Sequence, residues 1–264
     1  MKWKDVLVEI VIPVYNEQEV LEKSVTTLRN YLQDHFPYRW RITVADNASI
    51  DQTWEIAQRL QDTYPDVKAL HLDKKGRGRA LRYAWTNTDA DVVSYMDVDL
   101  STNLKSFLPL VAPIITGHSD LAIGSRLARG AVVTRQWKRE IISRVYNFMI
   151  KATFFNAFSD AQCGFKACRA DVAHRLLPLI ENNEWFFDTE MLLLAERNHL
   201  RIYEVPVEWI EDLDTRVKIV KTATEDIRGL MRVKKSFFKG GGLLAPVALP
   251  STEEVVEKDV SAVK

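Results

Sequence analysis

The stretch DVVSYMDVDL, residues 91–100, runs through Val92-Val93-Ser94-Tyr95-Met96 and stops at two carboxylates one residue apart, Asp97 and Asp99. A short, nearly continuous apolar run of β-branched and aromatic residues reads as a strand buried on both faces. Further runs of the same kind lie at 6–12, 41–45, 67–72 and 121–123. Between them come segments with helical spacing: 17–31, with Val20, Leu21, Val25 and Leu28 on one side, then 54–60 and 79–87. Strands alternating with helices predict an α/β fold with a mostly parallel, Rossmann-like central sheet flanked by helices. In such sheets ligands bind beyond the carboxyl ends of the strands. The polar clusters 46–53, 74–79, 97–101 and 124–126 all fall at those ends.

The second half is less regular. Helices are expected at 138–156, 170–179 and 186–197, a turn or strand at 162–168, a half-solvated strand at 201–210, and an amphipathic helix at 216–238. After Gly240-Gly241-Gly242 the chain turns small, Pro-containing and acidic, and 240–264 reads as a disordered tail. Residues 1–239 are taken as one domain, with 1–126 as its ligand-binding half and 127–239 as a second half.

Composition narrows the function. The chain has 264 residues, 47% of them apolar, and zero formal net charge, so no global field points to nucleic acid. Its two cysteines, Cys163 and Cys168, match no zinc or disulfide pattern and fit a reducing compartment. The N-terminus lacks a signal-peptide layout, since Asp5 and Glu9 break its apolar run. The greasiest long segment, 141–158, holds eight Ile, Val or Phe residues, about −4 kcal/mol on the insertion scale. Arg144 and Lys151 inside it cost about 3 kcal/mol each, so it is not read as a membrane span. From 215 to 240, eight Lys/Arg face two acids, and Phe237-Phe238 follow, the pattern of a basic interfacial helix. A solvated basic face explains the same residues.

Three groups can carry chemistry. Asp97 and Asp99 can share one divalent cation, and oxygen-rich sites suit Mg2+ or Mn2+; an ordinary polar strand end is the plain alternative. The Lys74–Arg79 loop, KKGRGR, can approach phosphates, or it is a basic surface turn. Arg139 and Ser143 share one helix face and, with Arg126, can hold a phosphate; a solvated helix shoulder explains them equally.

Together the segments VIPVYNE (11–17), ADNASIDQT (45–53), GRG (76–78) and MDVDLS (96–101) resemble inverting family 2 glycosyltransferases of the GT-A fold. GSR (124–126), Arg139 with Ser143, DAQCGFK (160–166), WFFDTE (185–190) and VPVEW (205–209) resemble the polyprenyl-phosphate branch, dolichyl-phosphate glucosyltransferases among them. The resemblance spans roughly 6–235. Two departures are an Arg in the usual Gly-Lys-Gly loop, which keeps the charge, and Ala-Asp-Asn-Ala-Ser for Asp-Asp-Gly-Ser, which keeps the carboxylate at Asp46.

The resemblance implies a UDP- or GDP-hexose donor held by Pro13, Tyr15, Glu17, Asp46, Ser49, Gly76 and Arg77. It implies Asp97, Asp99 and Ser101 at Mg2+ or Mn2+, with Asp188 and Glu190 at the reaction centre. Arg126, Arg139 and Ser143 would take a polyprenyl phosphate, and Gln162, Gly164, Lys166, Trp185 and Arg216 would line the site. It implies a peripheral enzyme at the cytoplasmic face of a membrane, its C-terminal helices interfacial, with a possible separate membrane partner. A family 2 transferase with a glycan or protein acceptor and a silent nucleotide-sugar or membrane-binding module are the alternatives.

Overall fold

The computed structural model describes residues 5–211 and 219–245, the side chains of 219–221 excepted. In chain order the elements are β1 (Leu7–Val14), α1 (Leu21–His35), β2 (Arg39–Asn47), α2 (Thr53–Thr63), β3 (Val67–Leu72), α3 (Arg77–Thr86) and β4 (Val92–Met96). Then come α4 (Phe107–Ile115), β5 (Leu121–Ser125), β6 (Val132–Thr134), α5 (Trp137–Phe154), β7 (Phe165–Arg169), α6 (Ala170–Leu176), α7 (Phe187–Arg197), β8 (Ile202–Pro206), β9 (Glu208–Ile210) and α8 (Ile219–Phe238).

Seven strands form one sheet in the order β3-β2-β1-β4-β7-β5-β8. All pairings are parallel except those of β7, which runs antiparallel to β4 and β5. The strands are continuous apolar runs because both faces are covered. Along β1, Val8, Ile10 and Ile12 enter the core under α1, α2 and α4, while Val11 enters the opposite core under α3, α6 and α7. Along β4, Val92 and Met96 face the first core, Val93 and Tyr95 the second.

Strand order reverses direction at β1, whose neighbours are β2 and β4, so the switch point lies at the carboxyl ends of β1 and β4. Because β7 is antiparallel, its amino end opens on the same edge. This is what brings Gln162, Cys163 and Gly164 beside Asp97, whose N–H donates to the Gly164 carbonyl at 3.2 Å.

Three features differ from the sequence expectation. The strand expected over 201–210 is two strands in two sheets, because Pro206 has no N–H and Val207 turns inward to bond Ser125 and Val132. Helix α4, FLPLVAPII, is apolar on most sides and carries Pro113, so it shows no helical stripe in sequence. The short strand β6 pairs with β9 as a separate two-stranded sheet, bridged to the loop after β4 by Thr102↔Trp209. Of the segment 240–264, residues 240–245 are described. They lie along α7, where Arg197 donates to the Gly241 carbonyl at 2.7 Å and Asn198 to the Gly242 carbonyl at 2.8 Å.

Candidate active site

Asp97 leaves β4 into a cleft lined by Met96, Asp99, Leu100, Ser101, Thr102 and Gly164. Leu100 takes a left-handed φ of 51°, which lets the loop double back, and the Asp99 carboxylate accepts the Ser101 N–H at 3.0 Å. The Ser101 hydroxyl is buried with no partner. Burial, then the nearby charges of Asp99 and Asp188, push the Asp97 carboxyl above its ordinary range, with Arg77 opposing. Crowded oxygens with an unused hydroxyl beside them fit a hard divalent cation.

The Gly76-Arg77-Gly78 loop is shaped less by open space than by contact with the 183–187 segment. A side chain at Gly76, whose φ is +149°, would meet the Asn183 carbonyl at 2.6 Å, and one at Gly78 would meet the Phe187 ring at 2.8 Å. This close approach folds Arg77 into the cleft. Its guanidinium donates to Asp97 at 2.7 Å, lies 3.6 Å from Asp188, and sits over the rings of Trp185 and Tyr95 at 4.9 and 5.0 Å. Burial alone would weaken its hold on the proton; Asp97, Tyr95, Asp188 and Cys163 together outweigh that and raise it.

Beneath Arg77 lies a buried cluster. Asp188 accepts a short hydrogen bond from the Tyr95 hydroxyl, and the Lys166 ammonium stands 3.4 Å from the same carboxylate oxygen. Lys166 also donates to Tyr95 at 3.1 Å and to the Cys163 carbonyl at 2.6 Å. Burial pushes the Cys163 thiol up to about 12, so it stays neutral.

Glu190 is not part of this cluster. It points to α8, where Arg232 grips it with two bonds of 2.7 and 2.8 Å, and it also accepts the Asn182 N–H. Its physical place is a buried α7–α8 brace rather than the cleft.

At the switch point, loops 15–18 and 48–53 are zipped together. Ser49 accepts the Asn16 N–H at 2.9 Å, and Thr53 accepts that of Glu17 at 2.8 Å. Pro13 pairs with Ala45 in the strand register, and the Tyr15 ring lies 3.4 Å from the Lys75 ammonium. Asp46 is fully buried, bonded to His71 at 2.7 Å, with Trp54 packed on that imidazole.

On the other side, Arg126 makes a bidentate pair with buried Asp160 at 2.7 and 2.9 Å. Burial opposes the Asp160 charge, but the guanidinium overrides it and holds the carboxyl down at about 2. Arg139 pairs with Glu211 at 2.8 Å, and the Ser143 hydroxyl is buried without a partner. Gln162 donates to Asp226 of α8 at 3.0 Å; burial lifts that carboxyl to about 7. Arg216 lies outside the described residues. Sequence reasoning missed His71, Tyr95, Arg135, Trp209, Glu211 and Asp226. For His71 and Tyr95 the signal available was a titratable residue inside an otherwise apolar strand run; the other four lie in polar or mixed sequence that offers no such signal.

Residues 9–177 match the family model described as glycosyl transferase family 2. The chain belongs to that family. The chain is 36% identical over 225 residues to glycosyltransferase AglD of Haloferax volcanii, covering 84% of this chain and 35% of the relative. It is 27% identical to dolichyl-phosphate β-glucosyltransferase ALG5C of Trichomonas vaginalis, over 81% of this chain and 67% of that one. Against the dolichol-phosphate mannosyltransferase of Pyrococcus furiosus it is 32% identical, over 86% of this chain and 64% of that one. The chain therefore spans about a third to two thirds of these relatives' length. The last two bear the names of the dolichyl-phosphate branch that the sequence motifs resemble.

In fold it matches Mycobacterium tuberculosis glucosyl-3-phosphoglycerate synthase, crystallised with Mn2+, UDP-glucose and phosphoglyceric acid. That match has a TM-score of 0.64 at 18% identity, covering 87% of this chain and 80% of that one. The sheet is thus the GT-A sheet. Among the described residues no helix is long and apolar enough to cross a membrane.

Proposed function

We propose that this transferase moves a hexose, glucose or mannose, from a UDP- or GDP-sugar to a polyprenyl phosphate of the dolichyl type, with inversion, at a membrane surface. The observation that carries it is a juxtaposition. Arg126 lies close enough to feel the Asp97 charge, Arg139 and Ser143 stand on the first turns of α5, and the same helix exposes Trp137, Ile141, Val145 and Phe148. A cationic start and an apolar outer face on one helix suit the two ends of a lipid phosphate. Dolichyl-phosphate transferases among the relatives support the reading.

Pro13, Tyr15, Glu17, Asp46 and Ser49 would hold the nucleoside, and Gly76 and Arg77 would lie at its diphosphate. Asp46 is turned into the protein onto His71, so it would shape the pocket through that pair and the backbone of loop 46–49. Asp97, Asp99 and Ser101 would hold Mg2+ or Mn2+, which when bound neutralises a diphosphate leaving group. A phosphate monoester needs no base, since its second pKa is about 6. Asp188 fits that requirement: Tyr95, Lys166 and Arg77 already engage it, so it orients Arg77 rather than taking a proton. Catalysis is then positioning and charge management.

Exposed Met231 and Phe238 on α8, with the basic residues between them, would rest on the membrane. Two buried free cysteines fit its reducing, cytoplasmic side.

The test is a screen of nucleotide sugars against a short polyprenyl phosphate. Turnover is expected with one of them, lost in chelator and restored by Mg2+ or Mn2+. Arg139→Ala should weaken use of the lipid phosphate and leave nucleotide-sugar binding nearly unchanged. Equal loss of both, or turnover only with a soluble acceptor, would overturn the assignment.

A further inference from the structure

Arg135 and Trp209 carry no role in anything derived so far, yet they sit beside Arg126 in an unusual electrostatic position. The guanidinium carbons of Arg126 and Arg135 lie 5.4 and 5.3 Å from the centroid of the same indole, Trp209. Both side chains are only 9% exposed. Two like charges buried at one ring repel, and each requires an anion. Arg126 has its own, Asp160.

Arg135 is under-paired. Its Nη1 reaches a single Glu140 oxygen at 3.2 Å, and Glu140 is shared with Arg144, whose Nε donates to the other oxygen at 2.5 Å. The Arg135 Nε is buried with no partner at all. Burial first, and the Arg126 charge second, weaken its hold on the proton, against the pull of Glu140, Asp160 and Glu211. Of the three carboxylates around it, Asp160 is committed to Arg126 and Glu211 to Arg139.

The two residues are also fixed in place. Thr134, the residue before Arg135, is the end of β6, which pairs with β9 around Trp209. Strand β9 in turn bonds the loop after β4: the Asn103 N–H donates to the Glu208 carbonyl and the Ile210 N–H to the Ser101 carbonyl, both at 2.9 Å. The indole and both guanidiniums are therefore tied to the loop that carries Asp99.

We propose that Arg135, stacked with Arg126 on Trp209, is a further binding residue for the phosphate monoester of the acceptor. This rests on the lipid-phosphate reading above. A phosphate dianion brings the charge that a second buried guanidinium lacks, and three acceptor oxygens for its unused donors. Arg135 would share the anion with Arg126, leaving the nucleotide diphosphate to Arg77.

Calorimetric titration of the full chain tests this, with farnesyl phosphate, farnesol and UDP as probes, on wild type and Arg135→Gln. A charge-assisted bond to phosphate predicts a farnesyl phosphate affinity weaker by about tenfold or more, with farnesol and UDP unchanged. If the wild type binds farnesyl phosphate and the variant binds it equally well, Arg135 has no part in the site and the lipid-phosphate reading stands. If the wild type does not bind farnesyl phosphate, the lipid-phosphate reading fails. Inorganic phosphate binding that depends on Arg135 would then still support the anion site, and its independence of Arg135 would overturn it. Should Arg135→Gln fail to fold, Arg135→Lys is read instead. It keeps the charge and loses the fork, so farnesyl phosphate should bind about threefold or more weakly, and unchanged affinity overturns the proposal.

Discussion

Gly164→Ala is the sharpest probe of the cleft, because it moves Asp97 without removing it. A Cβ at 164 would fall on the Oδ2 and Cγ of Asp97 and lie 2.7 Å from its Oδ1. The main chains cannot part to make room, since Met96 is paired with Phe165 and the Asp97 N–H is bonded to the Gly164 carbonyl. The carboxylate must swing, and its 2.7 Å bond to Arg77 goes with it. Gly164 is not among the positive-φ glycines, so alanine adopts its backbone without strain. Lowering the unfolded chain's entropy contributes about 0.4–1 kcal/mol of stability, against about 1–3 kcal/mol for overpacking. The net loss should stay within about 2.6 kcal/mol. The rate should suffer far more, since misplacing a catalytic group by about 1 Å costs on the order of a hundredfold. Nucleotide-sugar turnover and urea unfolding are measured on the same preparation. A folded variant that turns over within about twofold of wild type would refute the placing of Asp97 at the reacting centre.

Arg126→Gln leaves Asp160 buried without its cation, and should cost about 3–5 kcal/mol of stability at pH 7. The Asp160 carboxyl is held down at about 2, so the pair's contribution is present above the unfolded value of about 3.9 and is lost as pH falls toward 2. Urea midpoints of wild type and variant should therefore converge over that acid window. Asp226 behaves oppositely. Its folded value, raised to about 7, means stability that is full below about 3.9 and falls as pH rises through 7. Asp226→Asn, which can still accept from Gln162, should melt higher than wild type at pH 8 and no higher at pH 4.

The strands and their polar ends were legible because continuous apolar runs and the residues that stop them are local. The strand ends at Asp97 and Asp99 and the loop at Arg77 could be read this way, and helical periodicity put Arg139 and Ser143 on one helix and marked the amphipathic α8. What stayed hidden depends on which distant residue faces which. Asp188 and Glu190 are two residues apart on α7, yet one meets Tyr95 of β4 and the other Arg232 of α8, so spacing could not separate their roles. Asp46 ends a strand as a binding carboxylate should, but His71 on the adjacent β3 turns it inward. The antiparallel β7, which delivers Gly164 to Asp97, has nothing in its five residues to fix its direction.

The pairing of the cleft's cations has a consequence for binding. Arg77 is tied to Asp97, Arg126 to Asp160 and Arg139 to Glu211, so at these three an arriving phosphate would exchange partners with a carboxylate instead of meeting a bare charge. At Arg77 the competing anion is itself a candidate cation ligand. Arg77 can therefore turn to a diphosphate only when something else answers Asp97. With divalent cations chelated, wild type should bind UDP or GDP poorly. Asp97→Asn, although it damages the cation site, should bind the nucleotide more tightly than wild type under those same conditions, by about tenfold. It removes one negative charge at close range and leaves the Arg77 guanidinium with only its 3.6 Å carboxylate contact to Asp188. With Mg2+ or Mn2+ added the order should reverse. Equal affinities in chelator would mean that the Arg77–Asp97 pair does not gate the diphosphate, and that Arg77 serves only to bridge Asp97 and Asp188.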